Sequence, residues 1–156
     1  MKNPEIAPTE EQGIADGRWN APRADGTPHN GLDIKSPLNS PLYSMFKGEV
    51  FAAVESKGDF GNYIIIKSNH EQEIIYVLYA HLNSIETYSG TISAGSLIGN
   101  TGDTGNARGT VPHVHIEVRK GVEQQSYNNA PDFNPENYMT TKFDSQGKPI
   151  SSTICN

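Results

Sequence analysis

The chain has 156 residues and a formal net charge of −6, with 35% hydrophobic residues, 15 glycines and 10 prolines. This length suits one domain, and the glycine and proline content favours turn-rich β structure over long helices. The negative charge and the scattered Lys and Arg argue against a nucleic-acid partner. Cys155 is the only cysteine, which excludes an intramolecular disulfide and a cysteine-rich metal site. Any metal must therefore be bound by histidines and carboxylates.

The N-terminal stretch has no basic segment followed by an apolar run, and no stretch approaches the ~20 apolar residues of a membrane span. We therefore expect no secretory signal and no membrane span. A cytoplasmic protein, an export route that reads no such signal and a trimmed chain all remain open.

Residues 1 to about 28 are polar, with several prolines and glycines, and predict an extended arm or loop. The polar "SNHEQE" (68–73) predicts a hairpin loop, and six glycines within 89–109 predict tight turns between short strands. Alternating or β-branched runs predict strands at 42–54, 61–68 and 73–82.

"HVHIEVRK" (113–120) predicts a further strand, because its apolar and polar residues alternate. Val114, Ile116 and Val118 would face one way; His113, His115 and Glu117 would face the other. The two histidines then share a face with Cα atoms about 6.5 to 7 Å apart, given a rise of ~3.3 Å per residue. Further on, "NPENYM" predicts a short helical turn that starts at Pro135.

Four of the five histidines stand in three similar stretches, "PHNGLDI", "LYAHLNS" and "PHVHIEV". The paired histidines on the strand could act as two metal ligands, or as one ligand and one catalytic neighbour. Asp33 follows His29 by four residues through Gly31, a flexible position that would let both side chains aim inward. Two histidines and one carboxylate would leave a fourth zinc position open for water, as in catalytic sites. His70, in the polar loop, is interpreted as a solvated residue.

The order H-x-x-x-D, Y-A-H-L, "IGNTGDTG" and P-H-V-H-I-E-V resembles the LytM/lysostaphin-type zinc metallopeptidases, which cut peptide bonds in bacterial peptidoglycan. The resemblance runs from about Gly17 to Arg119. It implies a mainly β fold, an antiparallel β-sheet sandwich or half-barrel of the duplicated hybrid motif type with groove-forming loops.

The same resemblance implies roles for five side chains. One zinc ion per chain would be bound by His29, Asp33 and His115. His81 and His113 would be unligated catalytic histidines, one acting as a general base for a metal-activated water and the other stabilising the oxyanion.

Further residues are expected to lie at or near the site. Asn30 and Tyr79, beside His29 and His81, are expected to contact substrate, and the glycine-rich "KGDFGNY" and "GNTGDTG" to form groove walls. Arg23 corresponds loosely to an arginine upstream of the first motif. Glu117 could accept a hydrogen bond from a ligand imidazole, but the sequence favours a solvated strand glutamate.

We predict an N-terminal arm over 1–20, a metallopeptidase domain over 21–125, and a C-terminal extension over 126–156 that packs on or trails from it. The arm, with Glu11 and Asn20, could cover the metal and make the enzyme latent. The expected partner is a peptidoglycan peptide met in the periplasm, cell wall or extracellular space, and the expected state is a monomer. The alternatives are a non-catalytic wall-binding or amidase-activating relative, and a zinc carboxypeptidase or a peptidase of proteins.

Overall fold

The computed structural model describes residues 5–7, 16–55, 58–122 and 125–151. Within these ranges the chain is built mainly of antiparallel β-strands, as expected. The strands are β1 (Leu32–Lys35), β2 (Pro41–Tyr43), β3 (Gly48–Val54), β4 (Asn62–His70), β5 (Glu73–Ile85), β6 (Thr91–Ile92), β7 (Leu97–Thr101), β8 (His113–Gly121), β9 (Asp132–Phe133), β10 (Lys142–Phe143) and β11 (Pro149–Ser151). Three short 3-10 turns complete the described elements: Gly105–Ala107, Tyr127–Asn129 and Pro135–Tyr138.

The main sheet has the strand order β1-β8-β5-β4-β3-β6, with β7 joining β5 to β2 and β9 added beside β8. Strands β10 and β11 form a separate two-stranded sheet. The main sheet is open and does not close into a barrel. The fold class expected from the sequence is therefore confirmed. Among the described residues no helix has the length and apolar character needed to cross a membrane.

The central hairpin is tighter than the sequence suggested. Strands β4 and β5 pair up to His70 opposite Glu73, so the connection consists of Glu71 and Gln72 alone. Both residues have positive φ, 50° and 69°, as the two-residue type I′ turn requires. The expected six-residue loop is thus mostly strand.

His70 is not a solvated loop residue, and that interpretation is wrong. Its ring centroid lies 4.8 Å from that of Phe46 and 5.7 Å from that of Tyr138. These contacts leave the histidine half-buried at the end of β4.

The alternation predicted for β8 is confirmed. Val114, Ile116 and Val118 pack into the larger apolar cluster on one side of the sheet. On the other side of the sheet, a second apolar cluster includes Tyr76, Leu78 and Tyr127, which lies in the chain after β8. Because the central strands are covered on both faces, the polar face of β8 is held against protein instead of water.

The N-terminal end of the described chain packs beside β1, and the chain after β8 returns to pair with it through β9. Ile6 forms a bridge with Ile34, and the amide of Ala7 donates to the carbonyl of Asp33 at 2.9 Å. The Pro135–Tyr138 turn has proline at its start, as the sequence indicated.

Candidate metal centre

The register between β1 and β8 places Asp33 directly opposite His115. Residues directly opposite each other in an antiparallel pair lie on the same face of the sheet. His29 lies just before β1, and its side chain reaches the same point. The predicted ligands His29, Asp33 and His115 are therefore brought together, and all three are buried.

The three donor atoms form a small triangle. Asp33 Oδ1 lies 2.7 Å from His115 Nδ1 and 3.3 Å from His29 Nε2, and the two nitrogens are 3.1 Å apart. Zinc bonds of about 2.0–2.1 Å in tetrahedral geometry separate ligand atoms by ~3.3 Å. Two imidazole nitrogens and one carboxylate oxygen at these separations fit a zinc ion.

The other nitrogen of each predicted ligand imidazole has a protein acceptor. His29 Nδ1 donates to the carbonyl oxygen of Arg18 at 2.9 Å, and His115 Nε2 donates to Glu117 Oε1 at 3.1 Å. Such bonds fix the ring orientation and the nitrogen that is left to bind the metal. The remaining oxygen of Asp33, Oδ2, accepts from Arg23 at 3.3 Å. Arg23, which the sequence relates only loosely to the family arginine, thus contacts the cluster.

Glu117 is a partner of His115 and not a solvated strand residue. Its exposed fraction is 2%. Its Oε2 accepts hydrogen bonds from Arg119, at 3.1 Å, and from the Tyr127 hydroxyl. The interpretation that we favoured from the sequence is wrong, because the chain after β8 covers this face.

The electrostatics of the cluster favour a cation between its members. Burial lowers the pKa of His115, but hydrogen bonds to Asp33 and Glu117 outweigh burial and raise that pKa to about 9. Burial raises the pKa of Asp33, yet its hydrogen bonds with His115 and His29 hold it well below the usual range. Both shifts show that positive charge is favoured beside the Asp33 carboxylate, as binding of a metal cation there would require.

Gly31 is required by close packing. A Cβ at this position would lie 2.5 Å from His115 Cε1 and 2.6 Å from the carbonyl oxygen of Ile116. The absence of a side chain lets the imidazole lie against the backbone, which is a different role from the flexibility expected from the sequence.

A bulge in β5 turns His81 toward the site. Ala80 pairs with His115 and so shares its face; regular alternation would then place His81 with Tyr79 on the opposite face. Instead the β4–β5 register shifts here, and His81 has φ of 62°. Bulges re-aim side chains beside active sites. The His81 ring centroid lies 5.0 Å from that of His113 and 5.8 Å from that of His115.

His81 and His113 present the same nitrogen to the site. The Nδ1 of His81 donates to the Thr104 carbonyl at 2.9 Å, and that of His113 donates to the Val111 carbonyl at 2.7 Å. A carbonyl only accepts, so in the neutral rings Nε2 carries the lone pair. His113 Nε2 lies 3.9 Å from Asp33 Oδ1. Burial, followed by the neighbouring His115 and His113, lowers the pKa of His81 to about 4.

The two glycine-rich loops contact each other next to His81. A Cβ on Gly61 would lie 2.5 Å from the amide nitrogen of Gly105, and both glycines have positive φ. Phe60, from the first loop, accepts from the His81 amide at 2.9 Å, and its ring stacks at 5.9 Å from that of His115. Both loops therefore lie beside the histidines, and their role as groove walls stays a prediction.

The two residues predicted to contact substrate lie in different environments. Asn30 is exposed beside His29.

Tyr79 is buried, with 1% of its surface exposed, and packs in the larger apolar cluster with Val114 and Ile116. Its hydroxyl accepts a hydrogen bond from the Met45 amide at 2.9 Å. It lies on the face opposite the histidines, so we do not retain it as a substrate contact. Glu11 lies outside the described residues.

Comparison with known proteins gives a consistent result. Residues 27–130 match the family model described as Peptidase family M23. The peptidoglycan DD-endopeptidase ShyB of Vibrio cholerae serotype O1 is 36% identical over 92 residues, which are 58% of this chain and 20% of that protein. This chain therefore spans about one fifth of the length of that curated relative.

Solved structures agree with the fold. The catalytic domain of lysostaphin from Staphylococcus simulans matches with a TM-score of 0.64 and 24% identity, covering 78% of this chain and 87% of that domain. A zinc containing peptidase from Vibrio cholerae matches with a TM-score of 0.57 and 27% identity, covering 81% of this chain and 36% of that one. The family match spans more than half of the chain and includes the His29, Asp33 and His115 triangle, so this chain belongs to peptidase family M23.

Proposed function

We propose that the chain is a zinc-dependent endopeptidase that hydrolyses peptide cross-links of bacterial peptidoglycan. The observation that carries the proposal is the triangle of His29 Nε2, Asp33 Oδ1 and His115 Nδ1, with separations of 2.7–3.3 Å. Those three atoms would bind one zinc ion. His81 and His113, on the same face, would be the catalytic histidines.

Zinc bound there would supply a Lewis acid, able to polarise a carbonyl and to lower the pKa of a water toward ~7. The protein would supply the proton transfers. With Nδ1 of His81 and His113 held by backbone carbonyls, each ring offers Nε2 to the reacting groups. One ring takes the proton of the attacking water at Nε2, and the other, in its imidazolium form, donates a hydrogen bond from Nε2 to the developing oxyanion.

The substrate class rests on the family and its named members. ShyB and ShyA are peptidoglycan DD-endopeptidases. We propose that this chain acts on the same polymer, in the periplasm, the cell wall or the extracellular space, as a monomer. Asn30, exposed beside His29, is proposed to contact the substrate.

We also retain the proposed organisation of the chain: an arm over 1–20, a catalytic domain over 21–125 and a C-terminal extension over 126–156. The contacts of Ile6 with β1 and of β9 with β8 support an arm and an extension that pack against the domain.

The experiment combines metal analysis with digestion. The purified protein should contain about one zinc per chain and should release from purified peptidoglycan fragments whose masses correspond to cleaved cross-links. Bound zinc without cleavage would indicate a non-catalytic relative. Release of terminal residues alone would indicate a carboxypeptidase.

A further inference from the structure

A buried network of hydrogen bonds connects His115, on the side of its ring away from the metal cluster, to Glu117. Glu117 Oε1 accepts from His115 Nε2 at 3.1 Å. Glu117 Oε2 accepts from Arg119 Nε at 3.1 Å and from the hydroxyl of Tyr127. Both carboxylate oxygens are therefore bound, and the orientation of this carboxylate decides where the His115 ring points.

Tyr127 belongs to the chain that follows β8. Its side chain is buried at 6% exposure. The guanidinium carbon of Arg119 lies 4.5 Å from the centroid of its ring, and Arg119 also donates to the Ala130 carbonyl at 3.3 Å. Arg119 therefore holds the Tyr127 ring in the orientation in which the Tyr127 hydroxyl contacts Glu117.

The chain after Tyr127 also contacts Arg18, whose carbonyl is the hydrogen-bond partner of His29. Trp19 Nε1 donates to Asp132 at 2.8 Å, and Arg18 donates to Glu136 at 3.1 Å. The carbonyl of Arg18 in turn accepts from His29 Nδ1. Residues 127–136 thus contact the supports of both histidines in the triangle.

We propose that Tyr127 is a positioning residue of the metal centre, acting through Glu117 on His115. Together with Arg119, the hydroxyl holds Oε2, which stops the carboxylate from rotating and keeps Oε1 on His115 Nε2. That contact directs His115 Nδ1 toward the metal. The inference rests on the proposed function, since it requires His115 to be a zinc ligand.

The experiment measures zinc affinity of the metal-free full chain by competition with a chromophoric chelator. Partners of ligand histidines typically change metal affinity by 10–100-fold, so we expect Glu117→Gln to weaken zinc binding within that range and Tyr127→Phe by about tenfold. The double variant should bind no more weakly than Glu117→Gln alone, because Tyr127 acts only through Glu117. The visible spectra of the two Co²⁺-loaded single variants should shift in the same direction.

Tyr76→Phe is the matched control. Tyr76 is also buried, and its hydroxyl donates to the Gln125 carbonyl at 2.6 Å, so this change removes a comparable bond to the same part of the chain. It should leave zinc affinity unchanged. An equal loss in Tyr76→Phe would assign the effect to general packing and overturn the inference.

Two further outcomes would also overturn it: wild-type zinc affinity in Tyr127→Phe, or additive losses in the double variant. The proposed function would survive both. Failure of the proposed function itself has a different signature, which is a wild-type chain that takes up no zinc.

Discussion

Asp33 and His115 are direct partners across β1 and β8, and Asp33 Oδ1 lies 2.7 Å from His115 Nδ1. The sheet register therefore sets the distance between two proposed ligands, whereas His29 enters from a loop. Since register is fixed by burial of the opposite face, the packing of Val114 and Ile116 indirectly determines the geometry of the metal centre.

Replacing Asp33 with Ala removes the carboxylate from the triangle. We expect zinc affinity to fall by more than the roughly 100-fold that loss of an outer partner can cause, and metal analysis of the purified variant should show a zinc content well below one per chain. Asp33→Asn, which retains the shape without the charge, should lie between Asp33→Ala and the wild type. Full zinc content in both variants would remove Asp33 from the ligand set.

Replacing His81 or His113 with Ala should affect chemistry without affecting metal content. Loss of a general acid or base typically costs 10²–10⁴-fold in rate, so turnover of peptidoglycan fragments should fall by roughly this factor while zinc stays near one per chain. His70→Ala is the control, because His70 packs on Phe46 and Tyr138, away from the cluster. Zinc loss in His81→Ala would mean that His81 is a ligand.

Gly31→Ala should damage the site through steric contact. The new methyl group would lie 2.5 Å from His115 Cε1, so the ring must shift and zinc affinity should fall. Gly90→Ala is the control: Gly90 has φ of 90°, and an added Cβ would meet no neighbouring atom within 4 Å, which predicts a stability loss of about 1 kcal/mol and unchanged zinc binding. Chelator competition and thermal unfolding distinguish the two effects.

Because Tyr79 is buried, we expect the protein to lose stability at alkaline pH. Burial raises the pKa of this phenol from 10.0 to about 12. A raised folded-state pKa stabilises the protein below pH 10, and that contribution is lost as the pH rises through 12, which amounts to roughly 2–3 kcal/mol.

Tyr79→Phe should be less stable than the wild type at neutral pH, because the Met45 amide loses its acceptor. Between pH 10 and 12 it should lose less stability than the wild type does. Denaturant unfolding across this range would measure both effects, and parallel curves for the two proteins would contradict the assignment.

The sequence contained most of the information about β8. Strict alternation of valine and isoleucine with histidine and glutamate predicts which side chains share a face, and the structure agrees. The triangle required the family resemblance as well, since no pattern in the sequence specifies the β1–β8 pairing that brings Asp33 to His115.

Three features could not be read from the pattern. The buried environment of Glu117 depends on Tyr127, which returns to β8 after a turn. The steric role of Gly31 depends on the imidazole of His115, 84 positions later in the sequence. Tyr79 faces away from the site, although it neighbours His81, because the alternation of β5 changes between Tyr79 and His81. Each feature is a tertiary contact or a local backbone irregularity that period-two reasoning does not describe.

The left-handed backbone at His81 has an evolutionary consequence. Glycine adopts this conformation more easily than any other residue, so a sequence optimised only for thermal resistance would carry glycine at position 81. Keeping the proposed catalytic imidazole there lowers the stability of the fold, so screens for heat-tolerant variants should recover substitutions at this position, and we expect those variants to be inactive.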